Sequence, residues 1–399
     1  MADFKTEFSQ NLENFANLMG KKLAKKRIIL KSIIFTILLL GVGFYFYGIN
    51  FMATVLSISF LIFFHEFGHF IVARRLGVKV NVFSVGFGEK IWAKSWRGTE
   101  YRISAIPLGG YVSLKGQEDL KPELKNFDSD SYNSKSPFER ILILFAGPFF
   151  NILLAFLIYI ALGFIGVEKL APKIGHIAEN SAAATVGLNK NDEILSINGE
   201  KVQEWDDIVK NVALKPLNLE ILRDGKIINV VLTPKIGEKL NIWREKIQTP
   251  LIGISPNGEF VTIYHTGISS LKFAYLQTIE ASKLIVIGLE KFVSGAVSPK
   301  EMGGIVAITD ITSKAVSFGI SPLLLLIALI SVNLGILNLF PIPALDGGHI
   351  FFNLYELIFR KPVGEKFFTR ATYAGIFLLF ALMIFTVIND FFRIFGVYE

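Results

Sequence analysis

The sequence has no cysteine and few histidines, and both facts restrict the chemistry that the chain can perform. Without cysteine among its 399 residues, the chain can form no disulfide and can offer no thiolate to a metal ion. Any metal site must therefore use histidine, aspartate or glutamate side chains. Only five histidines are present, namely His65, His69, His176, His265 and His349.

Charge is also scarce. Asp, Glu, Lys and Arg make up 19% of the residues, whereas hydrophobic residues make up 52%, which is too apolar for an ordinary soluble enzyme. The net charge of +7 could indicate nucleic-acid binding, but the basic residues cluster beside apolar segments and no recognition motif accompanies them. We therefore expect the lipid bilayer, and no nucleic acid, as a partner.

Five apolar segments are long enough to cross a bilayer, which takes about 20 residues. They cover residues 30–48, 51–73, 139–165, 321–340 and 371–389. If the Lys-rich N-terminus is cytoplasmic, every short loop rich in Lys and Arg falls on the cytoplasmic side, and the C-terminus is extracytoplasmic. Residues 1–29 form a basic extension, which is either an amphipathic helix on an anionic membrane surface or a basic tail.

The most informative stretch is His65-Glu66-Phe67-Gly68-His69, which places the pattern H-E-x-x-H inside an apolar segment. On a helix, two histidines four positions apart lie on one face, so both can point a ring nitrogen at the same zinc ion. Glu66 can then act as general base on a water molecule. A soluble helix can also carry this pattern by chance, but ionisable groups at membrane depth are costly and indicate function.

A later apolar segment offers a third zinc ligand. The stretch from Asn338 to His349 reads N-L-F-P-I-P-A-L-D-G-G-H, in which prolines and glycines interrupt the helix. We expect Asp346 to lie there on irregular backbone at membrane depth and to bind the metal, although aspartate before glycine also caps helices. His349 competes for the ligand role, and we rank it second, as a hydrogen-bond partner near the metal. Asn338 either donates a hydrogen bond to a peptide carbonyl or packs as a buried amide.

Residues 79–116 have the pattern of two strands joined by a turn. Alternating apolar residues lie on both sides of Arg97-Gly98, and the second run continues to Gly109 and Gly110. This predicts a β-hairpin directly after the H-E-x-x-H helix. The hairpin serves either as a cytoplasmic cap or as an edge strand that captures an extended peptide.

The block between the third and fourth apolar segments has the pattern of a soluble α/β domain. Residues 193–197 alternate as a strand before the turn at Asn198-Gly199. The later elements are a polar helix near 204–213, a strand at 217–223, a turn at 224–225 and a strand at 226–233. Together with residues 182–188, these elements resemble a PDZ domain of the bacterial protease type.

The motifs H-E-F-G-H and N-L-F-P-I-P-A-L-D-G-G-H together resemble the site-two protease family, in its bacterial regulator-of-sigma-E-protease branch. The stretches F-S-V-G-F-G, I-P-L-G-G-Y-V and F-A-G-P-F-F-N match as well, and the resemblance covers residues 51–390. It implies one Zn²⁺ per chain bound by His65, His69 and Asp346, with Glu66 as catalytic base. It also implies that the hairpin re-enters the membrane.

The resemblance further implies residues that handle the substrate. The expected substrate-binding set is Asn338, Pro341, Pro343, Gly86, Gly88, Gly109 and Gly110. The chain departs from the family pattern in two ways. It has a single PDZ signature where some members have two, and it has an additional span at its N-terminus.

We therefore expect a polytopic α-helical membrane protein of about five spans, four of which form the protease core. A cytoplasmic-side β-hairpin and an extracytoplasmic α/β PDZ domain complete it. The expected order is the basic extension 1–29, the additional span 30–50, the first part of the core 51–165 with the hairpin 79–116, the PDZ domain 166–240, an extracytoplasmic connector with an amphipathic helix 241–320, and the second part of the core 321–399.

The expected function is intramembrane proteolysis at the bacterial cytoplasmic (inner) membrane. The family's substrates are transmembrane stubs, such as anti-sigma factors and signal-peptide remnants, that an upstream site-one protease has trimmed. One alternative is a membrane-anchored zinc protease that degrades damaged proteins, which requires a helical glutamate as third ligand. A second alternative is a transporter or scaffold whose buried polar residues line an ion path.

Overall fold

The computed structural model describes residues 27–117, 126–243 and 245–396, so most of the basic extension 1–29 lies outside the described residues. The chain forms two compact units. A helical unit comprises the described residues of Met1–Ile158, Gln277–Leu289 and Pro299–Glu399, and an α/β unit comprises Tyr159–Leu276 and Glu290–Ser298.

Ten α-helices occur in the described residues. They are α1 Arg27–Tyr47, α2 Ile49–Arg75, α3 Pro137–Ile165, α4 Ala182–Thr185, α5 Trp205–Asn211, α6 Ile268–Val293, α7 Ile305–Ser317, α8 Ile320–Asn338, α9 Asp346–Phe359 and α10 Glu365–Ile394. Five of these helices, α1, α2, α3, α8 and α10, are long and apolar enough to cross a membrane. The five apolar helices predicted from the sequence are thereby confirmed, and the last begins six residues earlier than predicted.

Burial distinguishes the central membrane helix from the peripheral ones. In α3, 44% of the most apolar 18-residue stretch is buried inside the protein, whereas the corresponding values are 6% in α1 and 11% in α10. Since α1 and α10 expose long rows of apolar side chains, lipid is the solvent that fits them. The helix α3 therefore forms the interior of the helical unit.

The strands occur in a hairpin and in the α/β unit. They are β1 Val80–Trp96, β2 Thr99–Leu114, β3 Val167–Leu170, β4 Ile174–Ile177, β5 Glu193–Ile197, β6 Glu200–Lys201, β7 Leu217–Arg223, β8 Lys226–Leu232, β9 Lys235–Leu240, β10 Lys246–Leu251, β11 Ile254–Pro256 and β12 Phe260–Ile263. The predicted hairpin is confirmed as β1 and β2, which are joined at Arg97-Gly98.

The hairpin is more folded than two straight strands. Residues 82–85 of β1 pair on one side with 110–113 of β2 and on the other side with 100–103 of β2. Each strand therefore bends and contributes two rows to a small antiparallel sheet. Gly86 and Gly109 lie at these bends with φ of 89° and 119°, a region that glycine adopts without a steric penalty. Row 109–114 runs against α2.

In the α/β unit, a four-stranded antiparallel sheet has the order β6-β5-β7-β8. Alternate residues of β7 point inward, and Leu217, Leu219 and Ile221 are fully buried. The buried aliphatic side chains of this sheet pack with Ile208 of α5 and with Ala183 of α4. The helices and strands predicted between residues 182 and 233 are confirmed, whereas their assignment as a PDZ domain stays a prediction.

The boundary predicted at residue 240 was too early. β10 pairs with β9, β11 pairs with β4, and β12 pairs with β3, so the chain remains in sheet pairings up to Ile263. Local patterning does not reveal β11 and β12, because their partners β4 and β3 lie far away in the sequence. The amphipathic helix predicted in the connector is confirmed as α6.

Candidate metal centre

Two distant parts of the helical unit supply the candidate ligands. His65 and His69 lie one turn apart on α2, and Asp346 is the first residue of α9. Nε2 of His65 lies 3.1 Å from Nε2 of His69. Oδ2 of Asp346 lies 3.1 Å from Nε2 of His65 and 3.5 Å from Nε2 of His69. The three side chains thus direct two nitrogen atoms and one oxygen atom to a common point.

These distances fit a zinc ion. In a tetrahedral site with metal–ligand bonds of about 2.0 Å, two ligand atoms lie roughly 3.3 Å apart. The observed separations of 3.1, 3.1 and 3.5 Å bracket that value. Two imidazoles and one carboxylate also form a donor set that zinc accepts in catalytic sites, where three protein ligands leave a fourth position open.

The carboxylate of Asp346 gives a further indication. Its Oδ2 atom is buried, accepts no well-formed hydrogen bond from the described residues, and lies 3.1 and 3.5 Å from the Nε2 atoms of the two histidines. A buried carboxylate oxygen that no well-formed hydrogen bond satisfies carries a large desolvation cost. A cation bound at this oxygen would remove that cost, so the residues present fit the metal.

The connection between α8 and α9 explains how Asp346 reaches the histidines. α8 ends at Asn338, and Ala344 has a φ of 102°, which is strained for a residue with a side chain. Leu345 is extended and precedes the first turn of α9. The prediction that Asp346 lies on irregular backbone was therefore wrong, because Asp346 is the first residue of α9. The irregular segment is 339–345, and Asp346 begins a helix.

Glu66 lies beside the three candidate ligands in a cavity of about 200 Å³. The cavity is lined by His65, Glu66, His69, Val112, Leu114, Gln117, Ile143, Leu144, Asn338, Ala344, Leu345 and Asp346. The backbone N–H of Val112 in β2 donates a hydrogen bond of 3.0 Å to Oε2 of Glu66. Because this N–H points toward α2, it points away from β1, and row 109–114 turns its outer edge toward the cavity.

Helix α3 contacts both histidines through Ile143 and through two residues of the stretch F-A-G-P-F-F-N, to none of which the sequence assigned a role. Nδ1 of His69 lies 2.8 Å from the carbonyl oxygen of Ile143, and Nδ1 of His65 lies 3.1 Å from Nδ2 of Asn151. A Cβ at Gly147 would lie 2.7 Å from Nε2 of His65 and would also overlap the ring of His69. The spacing of Gly147 and Asn151 in an apolar helix was the available signal.

The structure separates the other polar residues that the sequence pointed to. Asn338 lines the cavity, while its Nδ2 donates a hydrogen bond of 3.0 Å to the carbonyl oxygen of Leu334 in its own helix. The ring of His349 packs against Phe352 and Phe368, and His349 is not part of the metal-binding group. A substrate role for Asn338 stays a prediction, as does the supporting role of His349.

The remaining members of the predicted substrate-binding set lie outside the cavity lining. Gly86, Gly88 and Gly109 have positive φ in the bent part of the hairpin, and Gly110 packs against the backbone of Ser84. Pro341 and Pro343 lie in the segment between α8 and α9, where the carbonyl of Pro343 abuts Gly375 of α10. The contribution of these residues to substrate binding stays a prediction.

Comparison with known protein families decides the class of this chain. The family described as peptidase family M50 matches residues 53–382, which is most of the chain and includes all four cavity residues named above as ligands or base. The chain belongs to peptidase family M50. This is the site-two protease family that the two sequence motifs resemble.

Several curated relatives of this M50 peptidase cover nearly its whole length. A protein of Campylobacter jejuni is 52% identical over 367 residues, which are 92% of this chain and 100% of the relative. A protein of Helicobacter pylori strain J99 is 40% identical over 86% of this chain and 99% of its own length. A protein of Clostridium acetobutylicum is 35% identical over 86% of this chain and 97% of its own length. Each is named as a candidate zinc metalloprotease.

Membership in family M50 makes the protein a zinc metalloprotease, and Zn²⁺ is its cofactor. Together with the five apolar helices, it also makes the protein a multi-pass membrane protein. The alternative of a transporter or scaffold is therefore wrong. The alternative that requires a glutamate ligand also fits poorly, because the structure brings Asp346 to the histidines.

Proposed function

We propose that this M50 peptidase hydrolyses peptide bonds within transmembrane segments of membrane proteins. In this proposal His65, His69 and Asp346 bind one Zn²⁺, and Glu66 is the general base. The observation that carries it is the convergence of these three side chains, beside a glutamate, inside a unit built from apolar helices. Buried ionisable groups in such a unit are costly unless they have a function.

The chain's own residues divide the chemical work. A zinc ion held by His65, His69 and Asp346 would supply Lewis-acid chemistry, polarising the substrate carbonyl and making water a stronger nucleophile at neutral pH. Glu66 takes a proton from the attacking water and delivers it to the amide nitrogen that leaves. The N–H of Val112 holds Oε2 of Glu66 at 3.0 Å, which fixes the direction of the carboxylate before the substrate arrives.

The substrate must present an extended peptide, because the amides of a transmembrane helix are engaged in hydrogen bonds of that helix. We expect the outer edge of row 109–114 to hold the unwound segment by strand addition, since Val112 and Leu114 line the cavity. Asn338 lies at the same cavity and would donate to a substrate carbonyl after leaving its bond to Leu334.

The proposed orientation places the N-terminus in the cytoplasm and the α/β unit and the C-terminus outside it, in the cytoplasmic (inner) membrane of a bacterium. It rests on the Lys- and Arg-rich short loops. The α/β unit would act as a PDZ domain that excludes large extracytoplasmic domains or binds a new C-terminus. An apolar groove of about 650 Å³ between α5 and Ile252, Gly253 and Ile254 supports peptide binding there.

In this scheme, an upstream site-one protease first trims the substrate, and the trimmed transmembrane stub then reaches Glu66. Anti-sigma factors and signal-peptide remnants are the proposed substrate classes. The resemblance in the paired motifs supports these assignments.

Cleavage of a single-span reporter by purified protein in liposomes tests the proposal. Glu66→Gln should lower the cleavage rate by roughly 10²–10⁴-fold, because the amide cannot accept the proton, and the protein should still bind zinc. Glu280→Gln is the matched control, since Glu280 is an exposed residue of α6. That variant should cleave at the wild-type rate.

Cleavage by Glu66→Gln at the wild-type rate would show that another group is the base. Cleavage of a water-soluble polypeptide but not of the single-span reporter would instead contradict intramembrane proteolysis, while leaving the metalloprotease assignment intact.

A further inference from the structure

One face of α3 contacts both histidines. Ile143, Gly147 and Asn151 are spaced four residues apart, so they lie one above the other along the helix. The first meets the ring of His69, the second leaves room for both rings, and the third meets the ring of His65. The proton on each histidine therefore depends on what α3 presents to its Nδ1 atom.

For His69, the hydrogen-bond partner of Nδ1 determines which ring nitrogen carries the proton. The carbonyl oxygen of Ile143 can only accept a hydrogen bond, so the 2.8 Å contact requires a proton on Nδ1 of His69. In a neutral imidazole, Nε2 then carries the lone pair that a metal needs. The backbone of α3 thus fixes His69 in the tautomer that binds zinc through Nε2.

For His65 the partner is an amide, which offers both a donor and an acceptor. In the structure Nδ2 of Asn151 is the nearer atom, at 3.1 Å from Nδ1. A half turn of the amide exchanges Nδ2 and Oδ1 with little change in shape. Only with Oδ1 facing the ring does Nδ1 keep a proton, which leaves the lone pair of Nε2 for the metal.

The buried oxygen of Asn151 gains a partner from this half turn. The residue is fully buried, and its Oδ1 has no hydrogen-bond partner within the described part of the chain. Turning the amide gives this buried oxygen a partner, the N–H of His65. The backbone of Asn151 stays in place during this turn, because Oγ of Ser331 in α8 donates a hydrogen bond of 2.7 Å to its carbonyl oxygen.

We propose that Asn151 is a positioning residue for the zinc site: its side-chain oxygen accepts a hydrogen bond from Nδ1–H of His65 and so fixes the tautomer whose Nε2 binds the metal. The inference rests on the proposed zinc ligands. It assigns Asn151 a role in metal affinity, in which the residue touches neither the metal nor the substrate.

The test measures zinc affinity of purified full-length protein in detergent, by competition for Zn²⁺ with a fluorescent chelator. Asn151→Leu keeps the size of the side chain but loses the acceptor, and we expect roughly 10–100-fold weaker zinc binding. Asn151→Asp keeps an oxygen acceptor and should bind zinc at least as tightly as wild type. Asn353→Leu is the control. Asn353 is another buried amide of this unit, and its Nδ2 donates a hydrogen bond of 2.7 Å to the carbonyl oxygen of His349.

Loss of affinity in Asn151→Leu together with retention in Asn151→Asp and Asn353→Leu supports the proposal. Unchanged affinity in Asn151→Leu overturns it, and so does equal loss in Asn353→Leu, which would indicate a general packing effect. If Asn151→Leu is not recovered as folded protein, tenfold weaker binding by Asn151→Asp alone overturns the proposal. Zinc affinity equal to that of wild type in the variant His65→Ala would instead contradict the assignment of the zinc ligands themselves.

Discussion

In the α/β unit the fully buried side chains are mostly aliphatic, whereas the helical unit adds a large set of buried polar side chains. Ile194, Leu217, Leu219 and Ile221 of the α/β unit are 0% exposed. In the helical unit, the buried polar residues include His65, His69, Asn151, Ser331, Asn353, Thr372, Asn389 and Asp390. The outer surfaces of α1 and α10 are apolar instead.

The difference reflects two solvents. Water around the α/β unit drives apolar side chains inward, at roughly 25 cal/mol for each Å² buried. Lipid around the helical unit has no such preference, and polar groups must turn inward to find partners. A polar side chain in the helical unit therefore either satisfies a neighbour or serves the chemistry of the protein.

Three buried or partly buried aspartates illustrate the two cases. Asp192 of the α/β unit accepts hydrogen bonds of 2.8 and 2.6 Å from the guanidinium of Arg223. Asp390 of α10 accepts from the backbone N–H groups of Gly304 and Val306 at 2.9 and 3.0 Å, at the start of α7. Asp346 differs, since its Oδ2 has no guanidinium or backbone N–H donor among the described residues. Its neighbours are instead the Nε2 atoms of two histidines, at 3.1 and 3.5 Å.

A lysine placed on the outer surface of each unit tests whether the two surfaces face different solvents. Leu378 of α10 is 54% exposed and Val231 of β8 is 63% exposed. Leu378→Lys should cost about 3 kcal/mol, because the ammonium would face lipid, whereas Val231→Lys should change stability by less than about 0.5 kcal/mol.

The yield of folded protein from membranes and its unfolding temperature in lipid nanodiscs measure this difference, with Leu378→Ala as the apolar control. Equal tolerance of lysine at both positions would mean that α10 does not face lipid.

Zinc removal should loosen the helical unit alone. A ligand at 100 times its dissociation constant stabilises the folded state by about 2.7 kcal/mol, and a chelator removes that contribution. Hydrogen exchange should therefore accelerate in α2 and α9 of the wild type after chelation and stay unchanged in β5 and β7. Asp346→Asn should show little response to the chelator. Faster exchange in the sheet of the α/β unit would contradict a zinc site confined to the helical unit.

The smallest effect is expected at Asp390. Asp390→Asn keeps one acceptor oxygen but loses the charge that faces the N-terminus of α7, and we expect a loss of about 1–2 kcal/mol. Hydrogen exchange at Gly304 and Val306 reports it. The control is Asp310→Asn, an exposed position on α7 that pairs only with Lys314 among the ion pairs of the described residues. Its effect should be smaller, and a larger one would reverse the assignment.

Local sequence patterns predicted the elements that depend on neighbouring residues. The five apolar helices need only length and composition, and the turns at Arg97-Gly98 and Asp224-Gly225 need only their own residues. The pairings of β11 with β4 and of β12 with β3 join residues that lie 77 to 96 positions apart. No local signal marks them, and a connector was expected in their place.

The same limit applies to the metal centre. The spacing of H-E-x-x-H and the Leu345-Asp346-Gly347 break pointed to the residues that the structure brings together. The contacts behind the histidines were missed, because the bond from Asn151 to His65 joins residues 86 positions apart. The contact of Val112 with Glu66 was missed for the same reason, since a strand's register against a helix has no sequence signature.

The most direct test of the central claim is the zinc content of purified protein and of four variants. We expect about one zinc per chain in wild type, and the same in His349→Ala and His176→Ala, whose histidines lie outside the metal-binding group. His65→Ala and Asp346→Ala should lose most of their zinc. Full zinc content in Asp346→Ala, or its loss in His349→Ala, would contradict the claim that Asp346 completes the metal site.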